Sequence, residues 1–311
     1  VAYTAQSLLD EVRLRAMLPS ATVLGVSDAD ILLHANSEMA STVVPLVLSC
    51  SEEFFVSTID IPLVSNQTQY RLPDNNIGAR VRNVSLVNGG AQSQLVRIEP
   101  ERLAQYTTNA VGVPLGFYMD GGGLNLLPGP SGSYTLRVRY YARPGQLTNT
   151  ASNYRTLSST SYNSTRTMLT FSSGATGTLT PTAGTAYDII AARSPFDTMI
   201  QNTTVSGVGP FTVTGTSNFP QTVQDGDYLC VRDTSPFLQI PVEAQSLLIQ
   251  LTTCAVLAQL GDTAKLGPAL DKAETLKEMA MRLLTPRTDG NPQKMRGLLG
   301  GVPGWAGYGV R

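Results

Sequence analysis

Three sets of carboxylates stand at spacings that suit acid–base work: Glu52 with Glu53, Glu99 with Glu101, and Asp225 with Asp227. Two such groups flanking a glycosidic bond, one protonated and one ionised, are what a glycoside hydrolase uses. Each set has a structural reading that outweighs it. Glu52-Glu53 follows a helical run, Glu101 suits a first helical turn, and Asp225-Gly226-Asp227 is the composition of a hairpin loop and lacks the further oxygen ligands of a calcium loop. His34 is the single histidine and falls off the apolar stripe of its helix, among Glu38 and Ser41, which is a solvated or interface position. So isolated an imidazole supports no Ser-His-Asp or Cys-His set, and GxSxG, HExxH and GxxxxGKS/T are all absent. Cys50, Cys230 and Cys254 are far apart and odd in number, which reads as buried thiols and not as disulfides or a zinc site. The expectation is a protein that is not an enzyme and has no cofactor or metal.

The elements that carry these residues fall into three zones. Residues 4–18 read as a helix with Thr4 as N-cap, a stripe of Ala5, Leu8, Leu9, Val12 and Ala16, and ion pairs Asp10–Arg13 and Glu11–Arg15 outside. Ser27-x-x-Asp30 has the form of a capping box opening a second helix (Ile31, Leu32, Ala35, Met39, Val43, Leu46, Val47, Cys50), which Pro45 should kink. From residue 54 the period changes to two. Strands are expected over residues 56–61, 69–72, 81–87 and 94–98, then a helical turn over 99–106, then a meander of 116–119, 124–127 and 134–141 with turns at Gly121-Gly122-Gly123 and Pro128-Gly129-Pro130.

Residues 147–219 are rich in Thr, Ser and Gly, with weaker strands near 167–171, 187–192 and 211–214, and are either a second lobe or a long excursion of the first. A hairpin over 223–231 returns the chain to helix. Pro241 opens a helix that ends at Gly261 and is apolar on two faces, one of Ala244, Leu247, Leu248, Leu251, Cys254, Ala255 and Ala258, the other of Ile249, Val256, Leu257 and Leu260. Such a helix either sits centrally in its own bundle or gives its second face (Ile249, Val256, Leu257, Leu260) to a subunit contact. Pro268 opens the last helix, with Glu274–Lys277 and Glu278–Arg282 outside, and Pro286 ends it.

Composition narrows the function. Charged residues make up 14% of the 311 residues and the formal net charge is -1, against roughly 25% charged in an average domain. No basic footprint for gripping phosphates is present, and so low a charge suggests surface lying against neighbouring subunits. No run of about 18 apolar residues is seen and the first residues lack a signal-peptide core, so no membrane partner is expected and the chain reads as made in the cytoplasm. Residues 286–311, PRTDGNPQKMRGLLGGVPGWAGYGVR, carry four basic residues against one acidic, and Gly and Pro too frequent for a lasting helix or strand. Leu298, Leu299, Val302, Tyr308 and Trp305, the only tryptophan, are anchors on an arm that should order against a partner.

The chain resembles the head-to-tail adaptor (connector) proteins of tailed double-stranded DNA bacteriophages. The resemblance rests on the order of YTAQSLLDEVRLRAMLP (residues 3–19), SDADILLHANSEM (27–39), Tyr70-Arg71-Leu72-Pro73, Arg97-Ile98-Glu99-Pro100, GFYMDGG, LRVRYYARPGQL, GDYLCVRDTSPF and Ile240-Pro241-Val242-Glu243. It implies a homo-oligomeric ring, usually a dodecamer, beneath the portal protein at the capsid–tail junction of the virion, with DNA passing through unread and a tail or nozzle protein below. It also implies that the C-terminal arm docks on the portal, through Met295, Arg296, Leu298, Leu299, Val302, Trp305, Tyr308 and Arg311. The expected fold is α+β: helices of residues 1–53 and a helical hairpin of 241–285 forming one bundle, an inserted antiparallel β region of 54–240, sandwich or barrel-like, and an extended arm of 286–311. A different class is a tail-associated carbohydrate-binding or glycan-hydrolysing β protein with Tyr140, Tyr141, Tyr187 or Tyr228 as sugar platforms.

Overall fold

A computed structural model describes residues 3–18, 26–105, 110–182, 184–193, 198–207, 210–214 and 223–285. The first helix, α1 (Ala5–Ala16), starts where Thr4 accepts the Ser7 N–H at 3.0 Å and buries the five expected residues. Arg15 pairs with Glu11, but Arg13 does not take Asp10. Its Nε donates to Asp28 at 3.2 Å across to the next helix, while Asp10 accepts from Gln6 at 2.7 Å. The capping box forms as expected at α2 (Asp28–Glu38): Asp30 N–H donates to the Ser27 hydroxyl at 3.2 Å and Ser27 N–H to Asp30 at 2.9 Å. Pro45 cannot donate to the carbonyl of Ser41, and the helix absorbs this by widening into a π turn over Met39–Val43 before α3 (Val44–Cys50). By length and composition the continuous helix Asp28–Cys50 could cross a membrane. Its stripe of Ile31, Ala35, Met39, Val43 and Val47 is instead buried in a core shared with Leu8, Leu9, Leu248 and Val256.

A 3₁₀ turn (Glu52–Phe55) leads into the strands β1 (Val56–Pro62), β2 (Gln69–Arg71), β3 (Asn76–Asn88), β4 (Ala91–Gln94) and β5 (Val96–Arg97). After a second 3₁₀ turn (Pro100–Gln105) come β6 (Val111–Gly112), β7 (Gly116–Asp120), β8 (Gly123–Leu127), β9 (Gly129–Pro130), β10 (Thr135–Ala142) and β11 (Gln146–Leu147). One antiparallel sheet has the order β1-β10-β3-β4, and a second has β2-β8-β7-β5. The expected meander is therefore split: β7 and β8 form a hairpin in the second sheet, while β10 crosses to the first. Pro128-Gly129-Pro130 is not a turn either, since Gly129–Pro130 pairs parallel with β6. The two sheets share one core, Val84, Leu86, Leu136, Val138 and Tyr140 meeting Tyr70, Phe117, Leu124 and Leu126. Alternation along β10 turns Arg137 the other way, where its guanidinium forks onto Asp60 at 2.8 Å through both Nε and Nη2.

The Thr/Ser/Gly-rich stretch forms a closed barrel with its own core. Its strands are β12 (Tyr154–Tyr162), β13 (Met168–Gly177), β14 (Ala186–Ile190), β15 (Thr198–Ser206), β16 (Phe211–Thr214) and β17 (Tyr228–Val231), in the order β12-β13-β16-β15-β14-β17. The interior is filled by Leu157, Leu169, Phe171, Tyr187, Ile189, Val205, Phe211, Val213 and Leu229. The barrel thus extends past residue 219, because β17 closes it by pairing with both β12 and β14. The expected hairpin over 223–231 is a turn followed by this single strand. Gly177, at φ +83°, lies against the Tyr154 carbonyl, where an added Cβ would stand 2.1 Å from the oxygen, so only glycine fits. β18 (Thr234–Ser235) then pairs parallel with β11, so the chain leaves and re-enters the body side by side.

Two helices follow, α4 (Val242–Leu260), closed by Gly261 at φ 71°, and α5 (Thr263–Leu284). α5 begins one turn earlier than Pro268 suggests. Asp262 caps it by accepting the Lys265 N–H at 3.2 Å, and Pro268 lies inside the helix, where it leaves the Ala264 carbonyl without its usual donor. The two expected outer pairs form, Glu274–Lys277 at 3.3 Å and Glu278–Arg282 at 3.7 Å. α4 touches α1, α2 and α5. On its second face Ile249, Val256 and Leu257 are buried among the described residues, and Leu260, 39% exposed, reaches solvent.

Candidate assembly surfaces

Two of the three carboxylate sets are used structurally. Glu52 and Glu53 both pair with Arg82. Asp225 accepts the N–H and hydroxyl of Thr160, each at 2.8 Å, and Asp227 accepts from Ala192 and Gln224 N–H at 2.8 Å. Glu52, Glu53, Asp225 and Asp227 thus each have a partner within the fold. His34 is half-buried and lies 2.8 Å from Gln259 of α4, so it ties α2 to α4. Burial pushes the Cys230 and Cys254 thiols up, which keeps both protonated and unreactive. The sugar platforms fail for a simple reason: stacking needs an open ring face, and Tyr140, Tyr141 and Tyr187 are buried. Tyr228 is half-buried, edge-on to Phe237 at 4.7 Å.

Among the described residues, several large apolar side chains are also exposed. On the helical side Leu14, Met17, Leu33, Leu270, Met279 and Leu283 face solvent. Around the second sheet Val96 (68% exposed) and Leu115 (71%) do the same and are neighbours, since Val96 N–H donates to the Leu115 carbonyl at 3.1 Å, and Val111 and Val113 are exposed nearby in sequence. Sequence reasoning missed this second group, because its residues sit in two-residue strands or between strands, too short for any period. Met295, Arg296, Leu298, Leu299, Val302, Trp305, Tyr308 and Arg311 lie outside the described residues.

The acid response of the chain should be regional. Asp30 is held below the usual carboxylate range chiefly by the Ser27 hydroxyl, and Asp262 chiefly by the Lys265 side chain. The stability these depressed groups contribute is present above their unfolded value and is lost as pH falls through the folded one. Asp188 in β14 is the reverse. Burial raises it, against the pull of the N–H groups of Asn202 at 2.7 Å and Asp233 at 2.8 Å, so its ionised form costs stability as pH rises through the folded value. Hydrogen-exchange protection, relative to the unfolded chain at the same pH, should therefore fall on acidification to about pH 3 in the first turns of α2 and α5 before it does in β14. Equal loss at all three places would contradict this.

The part of the chain from α1 through both sheets into β12 coincides with a family match. The family model described as SU10 adaptor protein matches residues 3–164. No curated protein matches the chain. The matched part covers more than half of the sequence, and the chain accordingly belongs to the SU10 adaptor protein family, a family of phage head-to-tail adaptors.

Proposed function

We propose that this chain forms a ring beneath the portal of a tailed phage, joins capsid to tail, and lets DNA pass through its centre. Family membership is the observation that carries the reading. Three features support it. Glu52, Glu53, Asp225, Asp227 and His34 each hold a partner within the fold, and burial raises the Cys230 and Cys254 thiols. The charge is low and balanced, with a net -1, which suits a channel wall that does not hold phosphates. Apolar side chains remain uncovered on both the helical side and the sheets.

In this reading residues 1–53 and 241–285 form the portal-facing bundle, 54–240 the β region toward the tail, and 286–311 the docking arm. The arm continues from α5, so it starts at the helical side, where Met279 and Leu283 are exposed. Trp305 and Tyr308 are the main anchors, assisted by Leu298, Leu299 and Val302, with Met295, Arg296 and Arg311 around them. Assembly takes place in the host cytoplasm and the product is a virion component at the capsid–tail junction.

A chain ending at Thr285 should keep its helix content and lose portal binding in a pull-down with purified portal. Trp305→Ala alone should weaken binding by about 2 kcal/mol, roughly thirtyfold. Full binding by the truncated chain would remove the arm from the docking role.

A further inference from the structure

The first sheet ends on both sides in a strand that pairs with no further strand among the described residues: β1 at one side, β4 at the other. Natural sheets guard such edges with lysines, prolines or bulges. These two are unguarded. β4 is Ala91-Gln92-Ser93-Gln94, fully exposed, without charge or proline, and paired to β3 without a register break. β1 runs seven residues against β10, also without a break. Its one charge, Asp60, is taken by Arg137, and its proline comes only at the last position.

Strand sense makes the edges complementary. β1 and β3 run one way, β10 and β4 the other, because every neighbour in the sheet is antiparallel. Rotation from one subunit of a ring to the next preserves this sense, so β4 of one copy beside β1 of the next continues the antiparallel alternation. Side chains agree. Gln92 and Gln94 stand on the sheet face of Thr58 and Asp60, while Ala91 and Ser93 stand on the core face with Ile59 and Ile61, and no like charges meet. One residue beyond Leu95, the exposed Val96 and its neighbour Leu115 extend the same edge with apolar surface.

We propose that β4 of one copy pairs with β1 of the next, so that the first sheet continues from subunit to subunit around the ring, with Val96 and Leu115 packed beside the seam. The contact is heterologous, as ring closure requires, and it rests on the ring reading above. Gln94, Ser85, Arg137 and Asp60 share one rung, so strands along the ring axis would meet at Asp60, and strand tilt, as in any closed sheet, slides the contact along β1.

The test uses the full chain with Cys50→Ser and the pair Thr58→Cys and Gln94→Cys, treated with a short bis-maleimide and followed by denaturing gels and native mass spectrometry. The expected result is a ladder beyond dimer from the pair and none from either single variant. A ladder that stops at dimer overturns the seam, as do rings that form without cross-links, and the latter outcome leaves the ring reading intact. Monomers without cross-links overturn seam and self-assembled ring together. As a second arm, Gln92→Lys with Gln94→Lys should lower the assembled fraction at least tenfold at an unchanged melting temperature. Undiminished assembly of that variant overturns the proposal.

Discussion

Phe171→Ala should melt the barrel well below the rest of the chain. The ring is buried in β13 and meets Phe211, its register partner in β16, at 5.8 Å between centroids. Removing a buried phenylalanine costs about 3–5 kcal/mol, and a unit of this size commands roughly 4–12 kcal/mol in all. The barrel core is a separate cluster from those of the sheets and the helices. Calorimetry should therefore split into two transitions, the earlier with loss of exchange protection in β12–β17 only. A single transition moved to lower temperature would show instead that barrel and body unfold as one unit.

Leu248→Asp should leave no folded body at all. Leu248 is fully buried in the one core that holds Leu8, Leu9, Ile31 and Val47. The polar residues next to it are tolerated because Thr252 and Thr253 return their hydroxyls to the carbonyls of Leu248 and Ile249, each at 2.8 Å. A carboxylate at position 248 has no such partner, and an uncompensated buried charge costs about 5 kcal/mol or more. Circular dichroism of whatever soluble material is recovered should show lost helix, whereas Leu248→Ala should fold with a loss of about 2–5 kcal/mol. Wild-type melting of Leu248→Asp would contradict the central position of α4.

The sequence was most readable where local chemistry decides the outcome. Thr4, the Ser27–Asp30 box and Gly261 marked their helix ends because a cap involves only residues within one turn. β10 was equally plain, and its alternation had already put Tyr140 with Leu136 and Val138, which argues against using that ring as a sugar platform. β12 and β15 were missed because their Thr, Ser and Asn content leaves few inward apolar side chains, mainly Leu157, Met199 and Val205. Barrel closure was out of reach for a different reason. β17 pairs with β12 across some seventy intervening residues, and nothing in either strand names the other. Pro268 misled because a proline opening a helix and one tolerated in its second turn look alike in sequence. The proposed assembly surfaces divided similarly: residues 286–311 stand out by composition, whereas the free edges of β1 and β4 exist only once the strand order is known.

The parallel pair of β11 and β18 sets Gln146 opposite Thr234 and Leu147 opposite Ser235. Neighbouring strands are roughly 5 Å apart, so a splice of a few residues from Leu147 to Thr234 could bridge the gap once the barrel is removed. The barrel is thus a cassette. Its excision would leave the two sheets and the helices joined through β11 and β18.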